Sequence, residues 1–301
     1  MPTCAVVLNP ISGRDRDRPD PEELRRALAR AGRDAELLHT AGAGHGRELA
    51  RAAAERHDLV VAVGGDGTVG EVAAGLAGSG ASLAVLPTGS GNDFARGLGL
   101  RSLDDGLTAL TGGRTRPLDL GEFAGRPFVN SCGLFLSGEA SLRAARISRR
   151  WGGLRYSLAT LPLVGRYRAP RARWTFPDGT PEPRDLDGRW TLAEVGNGAL
   201  CGGGFRLTPL ADPGDGRLDF CLVRRVGLWD LLRTLPKAVT GDHLGHPRVH
   251  YPRAASAVLE SEEPLAVHWD GEPDRLPAGR HEFRLRAGAL RVIVPRGEAT
   301  P

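Results

Sequence analysis

Two short stretches of this chain combine glycine, an acid and a hydroxyl in an order that suits phosphate chemistry. Gly64-Gly65-Asp66-Gly67-Thr68 follows the apolar run Leu59 to Val63, and helical spacing resumes near Glu71 to Leu76. A loop between a strand and a helix aims backbone N–H groups and a helix N-terminus at an anion. Glycine lets the backbone approach the ligand closely and take up positive φ. Asp66 can orient a metal or accept a proton. A plain tight turn would use the same glycines, so the second stretch matters. Pro87-Thr88-Gly89-Ser90-Gly91-Asn92-Asp93-Phe94-Ala95-Arg96 comes after another apolar run, Leu83 to Leu86, and again opens a helix. Two such loops on neighbouring strands face each other across one crevice, which chance turns have no reason to do.

The elements around these loops alternate. Cys4 to Leu8, Ala35 to Thr40, Asp58 to Val63 and Leu83 to Leu86 read as strands. Between them, Pro21 to Ala31 carries Leu24, Ala27, Leu28 and Ala31 at helical spacing, and Arg47 to Arg56 reads as a second helix. Strand–helix alternation implies a parallel sheet covered on both faces, with ligands beyond the strand C-termini. After about Gly121 the pattern changes to short β-like segments separated by Gly/Pro turns: Phe128-Val129, Trp190 to Val195, Leu218 to Val223, Leu265 to Trp269, Phe283 to Leu285 and Leu290 to Val294. Two helical stretches interrupt them, Gly138 to Arg150 and Leu228 to Thr240. The expected organisation is an α/β domain over residues 1–121 and a mainly antiparallel β-sandwich over 122–289, with 290–301 returning to the first domain.

Composition narrows the chemistry. The chain has 301 residues, 41% hydrophobic and 25% charged, which is ordinary for a globular protein. Lys237 is its single lysine. There is therefore no G-x-x-x-x-G-K-[ST] loop and no strand lysine of the protein-kinase kind, and backbone amides, hydroxyls and arginine must hold any nucleoside phosphate. No apolar run approaches the roughly 20 residues of a spanning helix. The start, Met1-Pro2-Thr3-Cys4-Ala5, lacks the features of a signal peptide, and the four cysteines are scattered. A cytoplasmic, reducing setting is the expectation.

These loops, and residues nearly end to end, resemble the diacylglycerol-kinase catalytic family, which includes soluble bacterial lipid kinases and sphingosine kinases. Asn9-Pro10 with Ser12-Gly13 looks like the family's first nucleotide loop, and Thr40 sits where a threonine meets the ATP phosphates. Gly64 to Thr68 and Pro87 to Arg96 are similar to its two glycine signatures. Leu118-Asp119-Leu120-Gly121 resembles its acidic turn at the domain junction. Gly196-Asn197 with Gly202-Gly203-Gly204-Phe205 resembles the next block, leading into Pro209, Ala211, Asp215-Gly216, Leu218 and Asp219. Asp270-Gly271-Glu272 looks like its catalytic acidic turn and Leu290 to Pro295 like its closing strand. One departure stands out: the family usually has asparagine where this chain has Gly70.

The resemblance implies a first domain like that of NAD kinase and phosphofructokinase, and an ATP-dependent lipid kinase using Mg²⁺. Asn9, Thr40, Gly64, Gly65, Asp66, Gly67, Thr68, Gly70, Thr88, Gly89 and Asn92 are the residues it places around the nucleotide. It implies Glu272 as the base that takes the acceptor proton and Asp66 as organiser of Mg²⁺ and the γ-phosphate, although in some relatives the counterpart of Asp66 is itself read as the base. Asp270 joins them as a catalytic acid, with Asp93 and Asp119 as further acids ordering water and metal. It also implies a structural Mg²⁺ or Ca²⁺ held by the Asp215 carboxylate and the backbone carbonyls of Asp212 and Arg217.

Weaker signals surround this frame. Arg143, Arg146, Arg149, Arg150, Arg155, Arg166, Arg168, Arg171 and Arg173 run without an intervening acid and are interleaved with Trp151, Leu154, Tyr156, Leu158, Leu161, Leu163 and Val164. That suits a surface resting on anionic headgroups, or a solvated basic face. No nucleic-acid-binding signature accompanies it. His243, His246 and His250 read as surface or capping residues, with no zinc site, and Trp229 with its neighbouring leucines reads as core. A homodimer through the second domain is an expectation from the family. Diacylglycerol or a sphingoid-type lipid is the expected acceptor. The competing functions are a kinase of a soluble acceptor, related to NAD kinase, and a non-catalytic nucleotide- or lipid-binding relative.

Overall fold

The computed structural model describes residues 3–10, 19–148, 151, 158–163, 166–177, 185–234 and 236–297. The chain forms two compact units, Met1–Asp119 with Ala287–Pro301, and Leu120–Arg286. Sequence alone placed these divisions at 121/122 and 289/290.

In the first unit β1 (Thr3–Leu8), β2 (Asp34–His39), β3 (Leu59–Gly64) and β4 (Ser82–Pro87) lie parallel in the order β2-β1-β3-β4. The register sets Val6 beside both Leu37 and Val61, and Val61 beside Ala84. All six residues of β3 are buried, as expected of a parallel strand covered on both faces. The covering helices are α1 (Pro21–Arg30), α2 (His45–Ala54), α3 (Asp66–Leu76), α4 (Asp93–Gly97) and α5 (Leu103–Gly112). Local chemistry starts them. Asp20 accepts the N–H groups of Glu22 and Glu23 ahead of Pro21, and Ser102 and Asp105 form a reciprocal capping box at α5. Leu24 and Leu28 of α1 close over Cys4, Val6, Val61 and Leu86.

The second unit is a β-sandwich. One layer runs β15 (Glu272–Leu276), β14 (Leu265–Trp269), β7 (Ser131–Phe135), β9 (Asp185–Gly196) and β10 (Leu218–Arg224), all antiparallel. The other joins the start of β9 to β8 (Arg171–Thr175), β13 (Ser256–Ser261) and the first part of β16 (Gly279–Val294). β9 serves both layers because its residues 185–189 pair with β8 and its residues 192–196 with β7. Aromatic side chains fill the space between. Phe123 stacks on Phe283 with centroids 3.9 Å apart, and Trp174 and Phe220 pack around Phe283. The Trp190 indole N–H donates to the carbonyl of Ala172 at 2.8 Å, which satisfies its one polar atom in the core. α6 (Leu136–Ala144) and α7 (Leu228–Thr234) complete the unit, with β6 (Arg126–Phe128), β11 (Val249–His250) and β12 (Arg253–Ala254) as short edge strands.

Several expectations change. Leu118 to Gly121 is no turn but part of β5 (Arg114–Phe123), which pairs with β6. The two expected late strands are one, β16, because Gly288 at φ 59° allows an irregularity without ending the strand. The last residues of β16 belong to the first unit, where Arg291 and Val292 pair parallel with Ser82 and Leu83. The helix expected over Leu228 to Thr240 stops at Thr234, and Trp229 is 72% exposed, not core. All four cysteines are free and buried. Among the described residues no helix is long and apolar enough to cross a membrane.

Candidate functional site

The first unit gathers its candidate residues at the C-terminal ends of its parallel strands. Asn9 follows β1, Thr40 follows β2, Gly64 ends β3 and Thr88 follows β4. Backbone bonds tie these ends together: Thr40 N–H donates to Leu8 O at 3.0 Å and Thr88 N–H to Gly64 O at 3.0 Å. The Asn9 amide donates to Thr68 Oγ1 at 3.1 Å, which fixes the hydroxyl that ends the first glycine loop.

The two glycine loops meet backbone to backbone. A Cβ on Gly65 would lie 3.1 Å from Gly89 Cα; one on Gly89 would collide with Gly65 Cα and lie 2.7 Å from Asn92 Oδ1. Asn92 sits at φ 54°, accepts the Gly89 N–H at 3.0 Å and donates to its carbonyl at 2.8 Å. The Asp66 carboxylate takes the Phe94 N–H at 3.2 Å. The loops are thus clamped together above α3, whose first turn carries amides with no carbonyl of its own helix to bond. The donor set, backbone amides and hydroxyls without a lysine, fits a polyphosphate.

The remaining acids of this unit are placed differently. Asp93 is buried at the start of α4 with Arg96 Nη1 4.0 Å away. Asp119 is buried, and its Oδ1 accepts the N–H of Gly288 at 2.8 Å, at the irregularity of β16. Gly70 lies within α3 beside Glu71. Glu71 itself, which sequence reasoning passed over, takes the N–H groups of Gly44 and Gly46 at 2.8 Å each, at the start of α2.

In the second unit Asp270-Gly271 is the two-residue turn between β14 and β15, with φ of 49° and 83°. Positive φ at both positions is the type I′ hairpin that Asp-Gly favours. The Asp270 carboxylate accepts N–H groups from Val129 (2.8 Å), Asn130 (2.8 Å) and Ser131 (3.0 Å), and its own N–H donates to Ser131 O at 2.8 Å. Burial pushes this carboxyl above the usual range, against the pull of the three amides and His268. This geometry anchors the turn. Glu272 follows, its Oε2 held by the Arg126 guanidinium, which also lies 4.7 Å over the Trp269 ring.

Behind the turn is a buried polar cluster with no signature in the sequence. The Gly271 N–H donates to His268 Nδ1 at 3.3 Å; His268 Nε2 lies 3.0 Å from Ser137 Oγ, and that hydroxyl donates to Glu194 Oε2 at 2.8 Å. Burial drives the Glu194 carboxyl up, but His268, Ser131 and Ser137 more than offset it, leaving it below the usual carboxylate range.

In the loop expected to hold a structural cation, the Asp215 carboxylate already has partners. Asp215 Oδ1 accepts the Arg217 N–H at 3.0 Å, and its Oδ2 is held by the Arg253 guanidinium. The Asp212 carbonyl accepts the Asp215 N–H at 3.3 Å. Arg253 Nε also lies 3.2 Å from Asp219, its partner across the β10–β12 pair. The Arg253 guanidinium thus lies against the one carboxylate expected to bind a cation there.

Other expectations also resolve in part. His243 is not a surface residue but buried, with Nε2 3.1 Å from Leu207 O. Arg171 pairs with Asp187 on the neighbouring strand, whereas Arg143, Arg146, Arg166 and Arg168 are exposed. Ser12 and Gly13 of the first loop, and Arg149, Arg150, Leu154, Arg155, Tyr156 and Val164 of the basic segment, lie outside the described residues.

Residues 3–123 match the diacylglycerol kinase catalytic domain, and residues 133–294 match the YegS C-terminal NAD kinase beta sandwich-like domain. The chain is 35% identical over 283 residues to a Pseudomonas aeruginosa protein named "Probable lipid kinase YegS-like", covering 92% of this chain and 91% of that one. It is 28% identical over 305 residues to the diacylglycerol kinase of Bacillus subtilis, covering 99% and 98%. Among solved structures, a diacylglycerol kinase from Bacillus anthracis superposes with a TM-score of 0.72 at 23% identity, covering 98% and 97%. An NAD kinase from Archaeoglobus fulgidus, solved in complex with ATP, gives 0.52 at 14% identity, covering 98% and 94%. Both structures share the fold.

Proposed function

We propose that this chain, which belongs to the diacylglycerol kinase family of lipid kinases, moves the γ-phosphoryl group of ATP onto a lipid hydroxyl, with diacylglycerol or a sphingoid-type lipid as the acceptor. The observation that carries the reading is the clamped pair of glycine loops, Gly65 against Gly89 with Asp66 bonded to Phe94 N–H. Main-chain amides held this way at the C-terminal edge of a parallel sheet support binding of an anion there.

In this reading Asn9, Thr40, Gly64 to Thr68, Thr88, Gly89 and Asn92 position the triphosphate, and in-line placement does most of the catalytic work. The acceptor oxygen bonds to the γ-phosphorus as the bond to the bridging oxygen of ADP breaks, and the hydroxyl proton passes to Glu272. Asp66 would orient Mg²⁺ and the γ-phosphate, with Asp93 and Asp119 ordering water around them, and the ion would supply charge neutralisation when bound. Asp270 holds the turn that presents Glu272, and the lipid is drawn from a membrane surface.

The test is incubation of the purified protein with γ-labelled ATP, Mg²⁺ and a panel of lipids in mixed micelles, beside Glu272→Ala. Label in one extracted lipid, lost in the variant, supports the reading and names the acceptor. Label found only in a water-soluble acceptor, or none from folded ATP-binding protein, would overturn it.

A further inference from the structure

The segment from Arg225 to Val239 turns apolar side chains on both of its sides. Leu231 of α7 packs on the small inner cluster of Leu136, Ala140 and Leu163. The next residues round the helix face water: Trp229 is 72% exposed, Leu228 42% and Leu232 40%. Leu232 neighbours both of the others on the helix surface, Leu228 at i,i+4 and Trp229 at i,i+3. The turn that contributes Leu163 to the same cluster exposes Leu161 at 66%. Two adjacent elements therefore rest on one cluster and point tryptophan and leucine outward.

Charge says what covers this patch. Arg225, Arg233 and Lys237, the chain's single lysine, are exposed along the segment, against one acid, the half-buried Asp230. Two copies of the chain meeting here would bring these cations face to face, which disfavours a dimer. A surface of anionic lipid headgroups above an apolar layer satisfies both features: tryptophan and leucine enter the acyl boundary and the cations stay at the headgroups.

We infer that α7 and the neighbouring turn form a docking surface for an anionic lipid bilayer, inserting Trp229, Leu232 and Leu161. The inference rests on the lipid acceptor proposed above and adds the face by which the protein meets the membrane holding it. Each basic residue near an anionic surface multiplies affinity about fivefold, so binding must also weaken with salt.

Cosedimentation of the full chain with phosphatidylcholine vesicles, with and without 30% phosphatidylglycerol at roughly physiological salt, tests it without nucleotide or turnover. Binding is expected to the anionic vesicles, to fall at least tenfold in Trp229→Ala/Leu232→Ser, and to fall comparably in Arg233→Glu/Lys237→Glu. Melting temperatures control for folding; these side chains are exposed, so the variants should melt like the parent. A second route to the same readout is quenching by bromolipid, which should be lost in Trp229→Phe. Absence of vesicle binding, equal binding by the variants, or a parent dimer that the apolar variant dissociates in light scattering would each overturn the inference. Transfer of label to lipid in detergent micelles needs no bilayer. Failure there, with vesicle binding intact, would count against the kinase reading alone.

Discussion

The amide of Gly271 donates to Nδ1 of His268 at 3.3 Å, so the imidazole carries its proton on Nε2, toward Ser137 and the buried Glu194. One histidine thus links the turn bearing Glu272 to a carboxylate on β9. His268→Phe is predicted to take one polar partner from the buried Ser137–Glu194 pair and destabilise the fold by about 1–3 kcal/mol. Glu194→Gln added to it should restore part of that loss. Urea melts of the single and double variants measure the coupling; additive losses would mean the two residues do not act together.

Gly89→Ala puts a methyl group against Gly65 Cα and Asn92 Oδ1. The loops must part, at about 1–3 kcal/mol. Nucleotide affinity by calorimetry should fall at least tenfold, while Gly97→Ala, with open space around its Cβ, should bind nucleotide like the parent.

Glu272→Gln is predicted to lower kcat at least 100-fold, the usual contribution of a positioned base, with the melting temperature nearly unchanged because the Arg126 pair is exposed to solvent. Arg126→Met should cost less than tenfold. A Glu272→Gln enzyme with near-parent kcat would remove the base assignment.

Arg253→Met leaves the fully buried Asp219 without its counter-charge. A loss of about 2–4 kcal/mol is expected in urea melts, below the full buried-pair value because Arg253 is one-third exposed. If the loop holds no divalent cation, Asp215→Asn must leave any Mg²⁺- or Ca²⁺-dependent rise in melting temperature as large as in the parent.

Burial pushes the His243 imidazole below its ordinary value of 6.5, with the Leu207 carbonyl pulling the other way. The unfolded chain therefore takes up this proton first as pH falls. The stability contribution is intact above about pH 6.5 and is lost as pH drops toward and through the folded value. Melts from pH 7.5 to 5 should show a shallower decline in His243→Gln than in the parent; identical slopes would exclude His243 as a source.

The parallel half was legible because its strands are short apolar runs closed by Gly, Asn or Thr, and because α1 begins at an Asp-Pro start with inward leucines four residues apart. β5 was hidden: it opens Arg-Thr-Arg-Pro, and it pairs both with β6 in a local hairpin and with β16, far along the chain. The Ser137–Glu194–His268 cluster and the Arg253 pairings join residues more than thirty positions apart, and one sequence carries no record of which distant elements meet. Trp229 misled for another reason. Leu228, Leu231 and Leu232 have inward spacing, yet only Leu231 packs on the inner cluster.

The return of β16 to β4 has a consequence for synthesis on the ribosome. Ser82 and Leu83 emerge early, but their partners Arg291 and Val292 come some two hundred residues later, roughly 10–40 s at ordinary elongation rates. For that interval β4 is an open sheet edge of buried character, the kind that recruits other chains. The half of the protein made first is the half completed last, so stalled or truncated nascent chains are the form of this protein most exposed to aggregation and to chaperone capture.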